Sequence, residues 1–256
     1  MQLTALFHYP VKSMRSNPLQ QAAATACGLP HDREWLLTDP DGKFLTARKL
    51  PQLLLWQAVA DEHGLILTAP DGDTLHIACD HMQQHAEVNV WKDHFSAQYG
   101  SAEADEWLSR KLGQACRLFW LGTPGNRRLP YSDDPLSFAD GAPYLLANEA
   151  SLAALNQTLD EPVEMARFRA NLVIDGQTAY EEEQWQRIRI GEVTFELFKP
   201  CVRCVMTTVD LHTAQLHPQQ QPLATLAKTR RAIFGMNMIA LNSGTVTLGN
   251  RVEILA

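Results

Sequence analysis

The sequence predicts a mainly β chain with some α, an α+β protein whose many short strands suggest a barrel. Short apolar, β-branched segments recur from Leu3 to Leu255 with turn residues between them. Asp-Gly sits between apolar arms twice, in Asp39-Pro40-Asp41-Gly42 and Pro70-Asp71-Gly72, and that arrangement is a strong hairpin signal. Helix-start residues precede helical composition at Ser101 and Asn148.

In chain order, Leu3 to His8 reads as a strand ending at Tyr9-Pro10. Val11 to Ser16 follows as a loop carrying two cations and two hydroxyls. Glu34 to Thr38 and Lys43 to Thr46 flank the first Asp-Gly; Leu65 to Leu67 and Thr74 to Ile77 flank the second. Glu87 to Trp91 and His94 to Ala97 read as another pair. Ser101 caps a helix that closes near Gly113, with acids in its first turn to suit the helix dipole. A strand from Arg117 to Leu121 precedes a long irregular stretch, Gly122 to Pro143, and long loops in compact domains are often functional. Asn148 caps a helix from Glu149 to Leu159. Strands follow at Asn171 to Ile174, Arg187 to Ile190 and Val193 to Leu197, then a short helix from Pro222 to Arg231. Strands at Met236 to Leu241, Thr245 to Leu248 and Val252 to Leu255 close the chain.

At 256 residues the chain fits one large domain or two intimate ones. The net charge of −7 argues against general nucleic-acid binding, which needs a basic face. No apolar run is long enough to span a bilayer, and Met1 to His8 lacks the features of a signal peptide. Five scattered cysteines do not form a disulfide framework, so a reducing cytoplasm is the expected compartment. Arg33, Arg48, Arg127, Arg128, Arg169 and Arg203 each lie near turn-like sequence. Singly they read as solvated surface; together they allow a local anion site on an acidic protein.

Two clusters invite chemistry. His76, Cys79, His81 and His85 could bind zinc on spacing alone, but Asp80 to His85 reads as a polar loop or helix tip, where exposed histidines need no explanation. The stretch Phe198-Lys199-Pro200-Cys201-Val202-Arg203-Cys204 precedes a β-branched run, Val205 to Val209, and predicts a turn entering a strand. Arg203 beside the sulfurs favours thiolate. The pair remains open among half a zinc site, a redox pair, one thiolate ligand with a neighbour, and two partly buried cysteines without chemistry.

Several short segments recur together in one order. They are Tyr9-Pro10-Val11-Lys12-Ser13, Asp32-Arg33-Glu34-Trp35, Phe44-Leu45-Thr46-Ala47-Arg48 and Leu136-Ser137-Phe138-Ala139-Asp140-Gly141. Leu145 to Leu152, Phe168-Arg169-Ala170-Asn171, Lys199 to Cys204 with its Thr-Thr-Val tail, and Phe234-Gly235-Met236-Asn237 follow. In this order the chain resembles the MOSC-domain proteins, named for the C-terminal domain of molybdenum cofactor sulfurase. Within them it is similar to the YcbX and mitochondrial amidoxime reducing component group.

The resemblance implies a MOSC β-barrel (residues 96–256) joined to an N-terminal β-rich domain (residues 1–95), with the cofactor between them. It implies a molybdenum cofactor: a pyranopterin with a phosphate, its metal also held by one protein thiolate, as in sulfite oxidase-like ligation. By motif position that metal ligand and catalytic residue is Cys204, with Cys201 a neighbour. Lys12 and Ser13 suit the phosphate; Arg33 suits the phosphate or pterin; Arg169 and Asn171 suit the pterin. Asp140, Gly141, Val202 through its backbone, Arg203 and Asn237 complete the implied cofactor contacts. Val202 stands where the family often has Ser, and Ala170 replaces the proline of the usual Arg-Pro-Asn.

The implied activity reduces N-hydroxylated compounds, such as hydroxylated nucleobases, hydroxylamines or amidoximes, using two electrons and two protons and releasing water. Many YcbX-type chains continue into a ferredoxin domain. Here the sequence stops at Ala256 with no cysteines to hold an iron–sulfur cluster, so a separate flavoprotein or ferredoxin-like donor is expected. No nucleic-acid polymer and no membrane is expected as a partner. A cofactor or sulfur carrier without turnover is the alternative, kept open by Cys201 beside Cys204. The Gly122 to Pro143 loop is the candidate for shaping the substrate entrance.

Overall fold

The computed structural model describes residues 1–122, 127–129 and 134–256. The chain divides into two compact units: Met1–His8, Pro18–Pro30 and Gly141–Ala256 form one, and Tyr9–Asn17 with His31–Asp140 the other.

In the first unit one sheet runs in the order Val252–Ile254, Arg187–Ile190, Val193–Val202, Ile233–Ala240, Tyr144–Asn148, Leu172–Ile174, Leu3–His8. Neighbours are antiparallel except Tyr144–Asn148 with Leu172–Ile174. Alternate residues of Arg187–Ile190 and Val193–Val202 are buried, so Ile188, Ile190, Val193, Phe195 and Leu197 face one core with Leu3, Leu6, Leu146 and Met238. Tyr144 can be buried there because its hydroxyl donates to Thr25 O (2.7 Å) and accepts from Thr25 N (2.8 Å). On the other face Phe168 and Phe234 stack 3.9 Å apart among Leu145, Val173 and Leu226. Glu149–Asn156 is capped by Asn148, whose Oδ1 accepts from Ala150 N.

The second unit holds a sheet in the order Trp35–Thr38, Arg117–Trp120, Asp93–Tyr99, Gln84–Val90. It also holds the antiparallel sheet Gln57–Ala60, Gly64–Thr68, Thr74–Ala78. Ser101 Oγ caps Ala102–Leu112 through Ala104 N, and Gly113 closes that helix in the left-handed region. Leu36, Val88, Phe95, Phe119 and Phe138 fill this unit's core.

Two expected elements change. After the first Asp-Gly turn, the arm Lys43 to Thr46 makes a single bridge, Thr38 to Phe44, and Trp35–Thr38 pairs with Arg117–Trp120 instead. The cysteine stretch changes more. Strand Val193–Val202 continues through Pro200 and Cys201, and Val205–Thr208 is a 3₁₀ turn, not a strand. The ladder tolerates Pro200 because the register shifts on both sides of it, between Leu197 and Lys199 and between Pro200 and Val202. Thr207 Oγ1 and Thr208 Oγ1 donate back to Cys204 O (3.0 Å) and Val205 O (2.7 Å), and that local bonding outcompetes the β preference of the run.

Gly235 lies in Ile233–Ala240 at φ 82, and a Cβ there would meet Leu146 O at 2.5 Å. Gly235→Ala should therefore lose about 1–3 kcal/mol for the left-handed backbone alone. Urea unfolding of wild type and variant checks this; an unchanged midpoint would refute it.

Candidate cofactor site

The implied cofactor residues fall into two groups, one in each unit. In the second unit, two sequence segments about twenty residues apart are laced by backbone bonds. Arg33 N donates to Tyr9 O (2.7 Å), Trp35 N to Pro10 O (3.1 Å) and Lys12 N to Trp35 O (2.9 Å). Asp32 Oδ1 accepts from Tyr9 N (2.8 Å), and its other oxygen pairs with the Arg33 guanidinium, which lies 4.3 Å over the Tyr9 ring. Ser13 and Arg33 both adopt positive φ, 73° and 54°. These turns bring Lys12, Ser13 and Arg33 together.

Phe138 N donates to Arg33 O (2.8 Å), which adds the segment ending at Asp140. The Lys12 ammonium, buried, donates to Phe138 O (2.7 Å) and to Asp140 Oδ1. Burial lowers the Lys12 pKa, Asp140 opposes that, and Arg127 and Arg33 add to it. Burial works to raise the Asp140 pKa, but the charge and hydrogen bond of Lys12, the Trp91 indole N–H and Arg48 hold it well below the usual carboxylate range. Arg127, one of the arginines considered for an anion site, is otherwise engaged. Its guanidinium donates to Ser137 O and Ala139 O (2.6 Å each) and pairs with Asp93 at 2.8 Å, which fixes the stretch before Asp140. Of the proposed entrance loop, residues 123–126 and 130–133 lie outside the described residues.

In the first unit the cysteine stretch is asymmetric. Cys201 is the penultimate residue of Val193–Val202, and its Sγ accepts from Arg203 Nη1 at 2.8 Å. Arg203 Nη2 donates to Phe168 O (2.6 Å) and the guanidinium lies 5.8 Å from the centre of the Phe168 ring. Arg203 Nε is buried without a partner among the described residues. Cys204 is half-buried in extended backbone, and its carbonyl accepts from Thr207 N and Oγ1 (3.0 Å each). Arg169 follows Phe168 at φ 54, which brings it beside Arg203's carbonyl partner. Asn171 is 1% exposed, and its amide bridges strands by accepting from Leu145 N (3.2 Å) and donating to Phe7 O (3.2 Å). Asn237 sits mid-strand between Leu145 and Lys199. Val202 is 63% exposed, and Gly141 is exposed with open space around its Cβ position.

His76, Cys79, His81 and His85 are not gathered: among the described residues no group of three or more His, Cys, Asp or Glu could hold a metal ion. Burial, then Glu34, Asp61 and Asp80, push the Cys79 thiol up to about 11, far from a ready ligand. Sequence reasoning missed Trp91, whose Nε1 donates to Asp140 at 3.0 Å. The sequence predicts a strand running through Trp91, whereas the strand ends at Val90 and Trp91 opens the turn.

Because Asp140 has a depressed pKa, the native state binds fewer protons there than the unfolded chain. Its contribution is complete above the ordinary carboxylate pKa of about 4 and is lost as pH falls below it. Melting temperatures measured from pH 7 to 3 should therefore drop less steeply at the acid end in Asp140→Asn than in wild type. Parallel curves would contradict the Lys12–Asp140 assignment.

Two family models match the chain in order. The model of the MOSC N-terminal beta barrel domain matches residues 1–115, and that of the MOSC domain matches residues 133–253. Mitochondrial amidoxime-reducing component 1 of Homo sapiens is 31% identical over 98% of this chain and 82% of that protein. Mitochondrial amidoxime reducing component 2 of Homo sapiens is 33% identical over 88% and 71%. Molybdenum cofactor sulfurase of Oryza sativa subsp. japonica is 32% identical over 90% of this chain, which spans only 31% of that protein. No helix among the described residues is long and apolar enough to cross a membrane. With two domain models matched in order and human relatives aligned over most of their length, the chain belongs to the MOSC-domain family, in the amidoxime reducing component group.

Proposed function

We propose that this protein binds the molybdenum cofactor and reduces N-hydroxylated compounds, amidoximes and hydroxylamines among them, with electrons from a separate flavoprotein or ferredoxin-like protein. The observation that carries the reading is the different state of the two sulfurs. Cys201 Sγ is engaged by Arg203, whereas Cys204 Sγ has no hydrogen-bond partner among the described residues and its backbone is pinned on both sides. A thiolate held on a fixed backbone without a competing donor suits a soft metal. The hard, anionic end of the group suits Lys12, Ser13 and Arg33, which the Tyr9–Trp35 lacing brings together. Arg203, with a buried Nε still to satisfy, and Arg169 suit the polar edge of the pterin. Asn171 reads better as a strand fastener than as a direct contact, since its amide oxygen and nitrogen already serve the backbone.

In this reading the bound group supplies the two-electron chemistry at the metal. The chain's own residues bind and orient it. Cys204 contributes the thiolate, Arg203 fixes the segment through Phe168 O and Ala232 O, and Lys12 with Asp140 keeps a paired charge beside the proposed phosphate residues. A cofactor or sulfur carrier is the second reading, favoured by the likeness to the rice sulfurase.

Metal analysis of protein purified from cells that make the cofactor tests both readings, together with reduction of benzamidoxime by an artificial electron donor. Wild type and Cys201→Ser should retain molybdenum, because serine still offers Arg203 an acceptor. Cys204→Ser should lose most of it, with activity falling at least as far. Metal without turnover would favour the carrier; metal content indifferent to Cys204→Ser would sink the ligand assignment.

A further inference from the structure

Arg48 and Trp91 stand beside Lys12 and Asp140, and the reading above uses neither. Trp91 and Lys92 form the two-residue turn between Gln84–Val90 and Asp93–Tyr99. Trp91 has φ 59, a conformation that such turns normally give to Asn, Asp or Gly. A bulky residue there is a strained outlier, and such outliers cluster at binding sites. Burial does not explain it, since Trp91 is 41% exposed. The surroundings do: its Nε1 bonds Asp140, its ring meets Phe44 edge-on at 4.8 Å, and the Arg48 guanidinium carbon lies 4.0 Å over it.

A guanidinium laid on an indole directs its N–H groups outward in its own plane, ready for a two-oxygen acceptor. Among the described residues nothing takes them. The ion pair from Nη2 to Asp140 Oδ2 is 3.6 Å, too long for a hydrogen bond, and Nε is buried with no partner. Charge points the same way. Asp32 matches Arg33 and Asp93 matches Arg127, but Lys12 and Arg48 share Asp140. The cluster thus carries one positive charge beyond what it neutralises.

We propose that Arg48, braced on Trp91, is the recognition residue of an oxyanion site that takes a phosphate or carboxylate group in two-point fashion. The site is a property of the Tyr9–Asn17 and His31–Asp140 unit and does not depend on the molybdenum reading. The oxyanion has two possible sources, the phosphate of a cofactor or an acidic group on a substrate.

Calorimetric titration of the full chain with inorganic phosphate and with benzoate tests the proposal, on protein purified both with and without molybdenum. Both anions should bind. Arg48→Gln should weaken binding about tenfold or more, the usual worth of a charge-assisted contact. Arg48→Lys, which keeps the charge but lacks the fork, should bind between the two. Arg110→Gln, an exposed helix arginine, should bind as wild type. Binding only to molybdenum-free protein would assign the oxyanion to the cofactor; binding to both forms would assign it to substrate. The proposal is overturned if neither form binds anion or if Arg48→Gln binds as wild type. Should Arg48→Gln fail to fold, wild-type affinity in Arg48→Lys would overturn it.

Discussion

An ammonium group withdrawn from water must find acceptors, and Lys12, 7% exposed, sets that demand for the second unit. It is met by one carbonyl and one carboxylate from a single irregular stretch, Phe138 and Asp140. That stretch would not hold still unaided. Arg127 fastens it through two carbonyls, and Arg33 O receives Phe138 N. The cations here divide the work, since Arg127 shapes the backbone, Lys12 closes on it, and Arg33 stays with Asp32 and the Tyr9 ring. Removing any one leaves a charge or a carbonyl without its counterpart in a poorly solvated place, which ties the motifs around Tyr9, Arg33 and Asp140 into one energetic unit.

The cysteine stretch solves a different problem. A strand normally ends where a proline removes a ladder donor. Here two register shifts absorb Pro200, so the strand carries Cys201 almost to its end before the chain turns. The Thr207 hydroxyl and N–H then bond Cys204 O, and the Thr208 hydroxyl bonds Val205 O, which winds Val205–Thr208 tight. The outcome is a cysteine fixed between a strand end and a tight turn, a firmer mount than either element alone would give.

Much of this is legible in the sequence. Most strands lie where the alternation of apolar and polar residues puts them, and the Ser101, Asn148 and Gly113 helix ends follow local side-chain chemistry. The misreadings share a cause. Val205-Met206-Thr207-Thr208-Val209 has strand composition, but composition does not report that threonine hydroxyls will bond the preceding carbonyls. Lys43 to Thr46 looks like a hairpin arm, but the partner of Trp35–Thr38 comes from about eighty residues later, and local sequence carries no sign of that pairing. The resemblance names positions on the chain; what each side chain touches needs the fold. Asn171 illustrates this: a polar residue in a motif invites a ligand role, while its burial and two backbone bonds give it structural employment.

Trp91 raises the converse case, in which a local rule is broken without local benefit. A glycine or asparagine in that turn would relieve the backbone, and an exposed indole gains little from burial. What the indole does provide is a flat surface and one N–H, directed at Arg48 and Asp140 respectively. Without that surface the Arg48 side chain would have the rotameric freedom of any half-exposed arginine, and its donors would have no fixed direction. With it, the guanidinium is oriented before any ligand arrives, and less conformational entropy is lost on binding. Strain in the turn and order in the arginine are thus two sides of one arrangement, and the sequence pattern that hides the first also hides the second.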